Sequence, residues 1–271
     1  IIDNFSSGNL DNLAGFKGEI ISENIAEINL NKHFDKLDVI FHQAAITDTT
    51  VFDEKKMMFN NVDGFKNVLK FASKRGAKLI YASSAAIYGH SEPPMLVGKN
   101  EVPANAYGLS KLNADNIARE NFNNLHIVGL RYFNVYGPGE KYKGKMASML
   151  WQLYLQMKKG NRPKIFKYGE QKRDQVYVKD VINANLLALD SKKSGIFNVG
   201  TGKATKFNEI IKNLNENLGT NLEPEYIDNP YEHYQENTEA DLTETKKILG
   251  YFPEYDINKG IKDYLKYQNL C

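Results

Sequence analysis

Short apolar runs alternate along this chain with stretches of helical period, and that order limits its fold more than any other feature. Residues 37–41, 77–82 and 126–132 read as buried strands, and helical patterns over 56–75 and about 110–121 lie between them. Strands that are apolar on both sides, joined by helices, predict a parallel sheet covered on both faces. Ligands of such sheets bind beyond the carboxyl ends of the strands. His42-Gln43-Ala44-Ala45, Ser83-Ser84 and Asn134-Val135-Tyr136-Gly137 all fall at those ends.

After Pro138 the pattern changes. A helix is expected over 146–158, short strands over 164–166 and 175–178, and a helix over 180–190 capped by Asp180. A strand over 195–200 and a helix over 207–218 follow, then a polar, aromatic-rich tail. The expected architecture is α/β: a Rossmann-type doubly wound parallel sheet with a smaller, interleaved α/β lobe. The sheet domain takes residues 1–138, 172–199 and about 235–242, and the second lobe takes 139–171, 200–234 and 243–271.

Composition narrows the function. The 271 residues, 42% of them hydrophobic, can bury one large core or two smaller ones. The 35 basic and 33 acidic residues nearly cancel and form no basic stripe, so no nucleic-acid partner is expected. No apolar run approaches the about 20 residues of a membrane helix. The single cysteine, Cys271, excludes an internal disulfide framework and suits a reducing compartment, so the cytoplasm is the expected location. The histidines (His33, His42, His90, His126, His233) lack metal-ligand spacing, so no metal is expected.

Tyr107-Gly108-Leu109-Ser110-Lys111 carries the chemistry. The i, i+4 spacing puts Tyr107 and Lys111 on one helix face, a turn apart. A phenol titrates near about 10 and is a poor base at neutral pH. An ammonium a turn away, with a cationic ring beside it, would favour the phenolate. Such a tyrosine can take a proton from an alcohol while hydride leaves the same carbon. Ser84, at the end of the neighbouring strand, is placed to hold the substrate oxygen. The spacing alone is weak, because Tyr154/Lys158, Tyr168/Lys172 and Tyr255/Lys259 repeat it. Context selects Tyr107: the Ser-Ser strand end upstream, Pro103 four residues before, and a helix expected to begin at Ser110.

Tyr81-Ala82-Ser83-Ser84-Ala85-Ala86-x-Tyr88-Gly89, Tyr107-x-x-Ser110-Lys111 and Arg131-Tyr132-Phe133-Asn134-Val135-Tyr136-Gly137-Pro138 together resemble the extended short-chain dehydrogenase/reductases of the NAD-dependent epimerase/dehydratase family, which act on nucleotide sugars. The likeness runs from Asp3 to about Tyr264. Within that family, residues 142–149, Lys172-Arg173-Asp174 with Val176-Tyr177-Val178, and Tyr234-Gln235-x-x-Thr238-x-Ala240-Asp241-Leu242 are most similar to the ADP-heptose 6-epimerase branch. The resemblance implies an isomerase that oxidises C6″ of an ADP-heptose to a ketone and returns hydride to the other face, using tightly held NADP or NAD.

Two bases on opposite faces are then needed, and the resemblance assigns them to Tyr107 and Lys143. A lysine serves only where desolvation or cationic neighbours such as Lys141 and Lys145 depress its pKa. A loop with these three lysines equally suits pyrophosphate binding, and both roles stay open. The family pattern has Arg-Glu after Gly-Pro and a His before this lysine; here those positions read Gly139-Glu140 and Tyr142. The departures bear on the sugar rather than on the reaction type.

By the same resemblance Asp3 and Asn4 close the second strand of the nucleotide fold and meet the adenosine ribose. An acid there ordinarily favours NAD, yet the epimerase branch takes NADP with the same pair. Only Ser6, Ser7 and Lys17 stand near to meet a 2′-phosphate. His42, Gln43, Ala44 and Ala45 line the cofactor with Tyr107 and Lys111, and Asn61 corresponds to a buried family asparagine. Asn134 and Arg173 hold substrate phosphates and ribose beside Ser84 and Lys143, with Tyr234 at the nucleotide end. A homo-oligomer is implied as well. Gly8, Gly15 and Gly18 do not match G-x-x-G-x-x-G. Because the ribose acid lies about 20 residues beyond that loop, the loop is expected ahead of residue 1.

Other readings stand beside this one, among them another nucleotide-sugar epimerase or reductase. A UDP-hexose 4-epimerase uses Ser84, Tyr107 and Lys111 without a second base, since its keto-sugar flips over one tyrosine. A non-catalytic nicotinamide-sensing scaffold would ordinarily lack the tyrosine or the lysine. A 4,6-dehydratase carries Asp-Glu after the serine or threonine, where Ala85-Ala86 stand here.

Overall fold

Leu79 and Tyr81 turn to one side of their strand and Ile80 to the other, and each side meets a different apolar cluster. The computed structural model describes residues 1–51, 53–230 and 235–268. Its strands are β1 (Val39–His42), β2 (Lys78–Ser84), β3 (Ile127–Tyr132), β4 (Asn134–Tyr136), β5 (Lys164–Phe166), β6 (Lys172–Tyr177), β7 (Gly195–Val199), β8 (Ala204–Lys206) and β9 (Glu225–Ile227). The helices are α1 (Glu54–Met58), α2 (Gly64–Arg75), α3 (Ala106–Asn121), α4 (Met149–Lys158), α5 (Val178–Asp190), α6 (Phe207–Leu218), α7 (Thr243–Leu249) and α8 (Ile257–Gln268).

β1, β2, β3 and β7 form one parallel sheet in that order. On one face Leu79, Tyr81 and Ile127 pack with Phe65, Val68 and Ala72 of α2 and Ala114 and Ala118 of α3. On the other, Ile80, Val128, Leu130 and Phe197 pack with Val181, Ala184 and Ala188 of α5. Gly129 sits under the Tyr81 ring, where a Cβ would lie 2.5 Å from the phenol oxygen. This is the doubly wound sheet the alternation predicts.

A second core gathers Leu150, Trp151 and Tyr154 of α4 with Ile210, Leu214, Ile261 and Tyr264. Two small sheets flank it, β4-β6-β8 and β5-β9. Leu249 and Tyr251, at the end of α7, join the core of the large sheet instead. Asp174 ties the segments between the cores. Its carboxylate accepts from the Thr201 amide (2.7 Å), the Thr201 hydroxyl (2.6 Å), the Gly202 amide (2.9 Å) and the Ala240 amide (3.0 Å).

Several local expectations are corrected. The helix expected over 56–75 is three pieces, with a wider π-helical turn over Phe59–Asp63 between α1 and α2. The second-lobe helix expected from 146 starts at Met149, because the Ser148 hydroxyl caps it by accepting from the Trp151 amide. α5 starts at Val178, and Asp180 is not its cap: its carboxylate accepts from the amides of Glu254 and Tyr255, 2.9 and 3.1 Å away. The segment around Asp3 is held by a single parallel bridge, Ile2 to Ile21, rather than by a strand.

Candidate active site

α3 begins at Ala106, a turn before the expected start at Ser110. Asn105 causes this: its side-chain oxygen accepts from the Gly108 amide at 2.8 Å and caps the first turn. Tyr107 therefore lies inside the helix with Lys111. Gly108 lets that turn approach the end of β2, since a Cβ there would meet the Ala86 carbonyl oxygen at 2.6 Å. The approach sets Ser84 beside the Tyr107 phenol, close enough to act on its titration.

Lys111 is buried, and its ammonium donates to the Ala82 carbonyl at 2.8 Å. It stands 5.9 Å from the centre of the Tyr107 ring. Burial pushes Lys111 down to about 8, with Asp115 opposing. Burial pushes Tyr107 up, and the group that opposes it is Ser84. The expected lowering by Lys111 is not what this chain alone provides. His42, at the end of β1, is pushed down to about 3 by burial first and the Lys111 ammonium second, so it is neutral at physiological pH.

The other repeats of the spacing lie elsewhere. Tyr154 is buried in the second core, with Lys158 over its ring at 5.5 Å. Lys259 stands 4.4 Å from the Tyr255 ring. Tyr168 is exposed in a turn, with Lys172 starting β6.

Asn61 lies in the π-helical turn and reaches the same place from behind. It accepts from the Ile46 amide (2.7 Å) and donates to the Ile46 carbonyl (3.0 Å) and the Ser110 hydroxyl (2.9 Å). Gln43, Tyr132 and Asn185 share hydrogen bonds of 2.8–3.2 Å beside β1. Ala44 and Ala45 follow Gln43 on the way to the Asn61-held Ile46. Asp3 and Asn4 accept from the backbone two residues on, at Phe5 (2.7 Å) and Ser6 (3.0 Å).

The loop after Gly139 separates its three lysines. Lys141 stands 4.9 Å from the Tyr142 ring centre. Lys145 pairs with Asp48 at 3.4 Å and donates to the Thr50 hydroxyl at 3.1 Å. Lys143 is exposed and makes no hydrogen bond or ion pair among the described residues. The buried Glu140, whose role sequence did not reveal, pins the loop. It accepts from the Gly137 amide (3.2 Å), the Ser148 amide (2.6 Å) and the hydroxyls of Ser148 and Tyr264 (both 2.9 Å). Its only trace in sequence was that it kept the family's Glu after Gly-Pro-x.

Asn134 and Arg173 come from neighbouring strands, β4 and β6. Asn134 is exposed and accepts from the Thr238 hydroxyl at 3.3 Å; Arg173 is buried and donates to the Lys172 carbonyl at 3.0 Å. Tyr234 lies outside the described residues.

A half-buried phenol with a buried hydroxyl and ammonium, beside the ends of parallel strands, can exchange a proton with an alcohol. The model of the NAD dependent epimerase/dehydratase family matches residues 3–200. The chain belongs to this epimerase/dehydratase family. Among its relatives, the ADP-L-glycero-D-manno-heptose-6-epimerase of Brachyspira hyodysenteriae (strain ATCC 49526 / WA1) is 42% identical over 240 residues, 85% of this chain and 75% of that protein. The crystal structure of the Helicobacter pylori ADP-L-glycero-D-manno-heptose-6-epimerase superposes with a TM-score of 0.94 at 44% identity, covering 100% of this chain and 87% of that one. The Thermotoga maritima UDP-glucose 4-epimerase, solved with UDP-glucose, gives 0.90 at 30% identity, covering 99% and 90%. The chain is thus an isomerase of a nicotinamide-dependent family, homologous to its heptose epimerases. No helix among the described residues is long and apolar enough to cross a membrane.

Proposed function

We propose that this chain is an ADP-glyceromanno-heptose 6-epimerase that inverts C6″ by oxidation and re-reduction. The observation that carries this reading is the presence in one molecule of the Ser84–Tyr107–Lys111 cluster and a separate lysine loop in which, among the described residues, Lys143 alone is uncommitted to another side chain.

The residues suit a nicotinamide nucleotide. An ammonium has three donors, and Lys111 uses one of them among the described residues, leaving two for ribose hydroxyls. Ala44 and Ala45 admit close approach after the neutral His42. When bound, the nicotinamide supplies the hydride acceptor and donor. Ser84 holds the C6″ oxygen while Tyr107 takes its proton and the carbon loses hydride. Turning the keto-sugar within Asn134 and Arg173 presents its other face. As hydride is added to that face, the ketone oxygen takes a proton from Lys143. In the reverse direction the two groups exchange roles.

We take NADP as the cofactor, with NAD as the alternative. The Asp3 carboxylate is engaged by the Phe5 amide, and Gly8 stands against it, which supports an acid turned into its own loop rather than toward a 2′-hydroxyl. The lobe built on α4, α6 and α8 is proposed as the substrate side. A cytoplasmic homo-oligomer completes the reading, on family resemblance.

A UDP-hexose 4-epimerase is the second reading, supported by the Thermotoga likeness. Full-length enzyme offered ADP-heptose and UDP-hexoses separately tests the choice. The proposal expects inversion of the heptose; turnover of a UDP-hexose alone would replace it with the second reading.

A further inference from the structure

The lysine loop is fastened to the other side of the site at two places, by side chains that no part of the reaction above uses. At one, Lys145 pairs with Asp48 and donates to the Thr50 hydroxyl. At the other, the Tyr142 hydroxyl donates to the Asp11 carboxylate, and the Asn12 side-chain amide donates to the Gly139 carbonyl at 2.9 Å. Both partner segments come from the sheet domain: the loop leaving β1, and the turn at Leu10–Leu13.

The first fastening continues to Tyr107. Asp48 holds its own loop by accepting from the amide and the hydroxyl of Thr50, 2.8 and 2.6 Å away. That loop starts at Ile46, which Asn61 grips through both its amide and its carbonyl. Asn61 also donates to the Ser110 hydroxyl, which in turn donates to the Tyr107 carbonyl at 2.7 Å. Hydrogen bonds, together with the two-residue run of backbone from Ile46 to Asp48, thus link the Tyr107 helix through Asn61 and Lys145 to the loop that carries Lys143.

We propose that Asp48 and Lys145 are positioning residues that set Lys143 relative to Tyr107, with the Asp11–Tyr142 bond as a second fastening. The inference rests on the reading of Lys143 as the second proton-transfer group. Lys145 is 72% exposed and Asp48 25% exposed at the side chain, so the pair is screened and contributes little to folding. Its effect falls on where the loop stands, which catalysis feels steeply: a misplacement of about 1 Å can cost on the order of a hundredfold in rate.

The test uses full-length enzyme with ADP-heptose and the variants Asp48→Ala, Lys145→Ala, the double variant, the charge swap Asp48→Lys with Lys145→Asp, and Lys143→Ala. Two quantities are read: the rate of C6″ inversion, and the first half-reaction, seen as the absorbance of reduced nicotinamide after mixing. Each single variant is expected to slow inversion about tenfold or more, with the half-reaction and the melting temperature unchanged. The double variant should be no slower than either single one, and the swap should recover part of the loss. If Lys143→Ala abolishes inversion while the Asp48 and Lys145 variants invert at the normal rate, the positioning role is wrong and the second base stands. If Lys143→Ala inverts normally, the reading beneath it is wrong. Loss of inversion and half-reaction together in the Asp48 or Lys145 variants would also overturn the proposal, since that marks a general structural role.

Discussion

Lys111 is buried and Tyr107 half-buried, and desolvation moves the two in opposite directions. The phenol is pushed up and the ammonium down to about 8, so desolvation disfavours the charged form of each. Below about 8 Lys111 is an ammonium; above it the charge proposed to hold the cofactor's ribose beside Tyr107 is lost. The account therefore expects kcat/KM to fall as pH rises through about 8. Lys111→Arg keeps a charge that is not lost in that range, so its residual activity should lack this descending limb; pH profiles of both enzymes check it. The same depression acts on folding. Protonating a buried Lys111 costs stability, so its contribution is full above the unfolded-state value near about 10.4 and declines as pH falls toward about 8, where it levels off. Tyr107, Lys111 and Ser84 were legible in sequence because their spacing has a chemical reason. The three loop lysines were not separable there, because what distinguishes them is a partner 95 residues away for Lys145 and an adjacent ring for Lys141.

The first turn of α3 decides where Tyr107 points, and Asn105 holds that turn. Asn105→Ala is expected to lower stability by about 1 kcal/mol and to reduce kcat more than it changes KM, measured by urea unfolding and steady-state kinetics. Sequence placed this helix start late because Asn and Gly read as turn residues, and the cap geometry alone shows that both belong to the helix entry. Asp180 misled for a related reason. An acid at a helix start ordinarily caps it, but a segment 74 residues away supplies two amides that the carboxylate meets instead. The strands were read more nearly, since β2, β3 and β7 are apolar on both sides and that pattern has little other use. The π-helical turn at Phe59–Asp63 left no mark in the pattern; it turns Asn61 inward to hold Ile46 and Ser110.

At the scale of the molecule, α3 is locked to the sheet by a buried charge cluster that no sequence spacing announces. Arg131 of β3 meets Asp115 of α3 through Nε (2.9 Å) and Nη2 (2.8 Å), and Nη2 also meets Glu101 at 2.7 Å. Tyr81 of β2 donates to the other Asp115 oxygen at 2.8 Å. Removing Asp115 leaves the buried Arg131 with Glu101 alone and takes the acceptor from the Tyr81 hydroxyl. Asp115→Ala should therefore cost about 3–5 kcal/mol in denaturant unfolding, and any folded enzyme that remains should misplace Lys111, one turn earlier on the same helix. On the proposed reading, the cluster, the Asn105 cap and the loop that carries Lys143 all serve one outcome, a ketone formed on one face of a sugar and reduced on the other. The direct measurement of that outcome follows ADP-heptose carrying deuterium at C6″ through the full-length enzyme in ordinary water by NMR. The account predicts inversion at C6″ with the label retained at that carbon, because the hydride removed is the hydride returned. Inversion with the label washed out, or no inversion of the heptose at all, would contradict it.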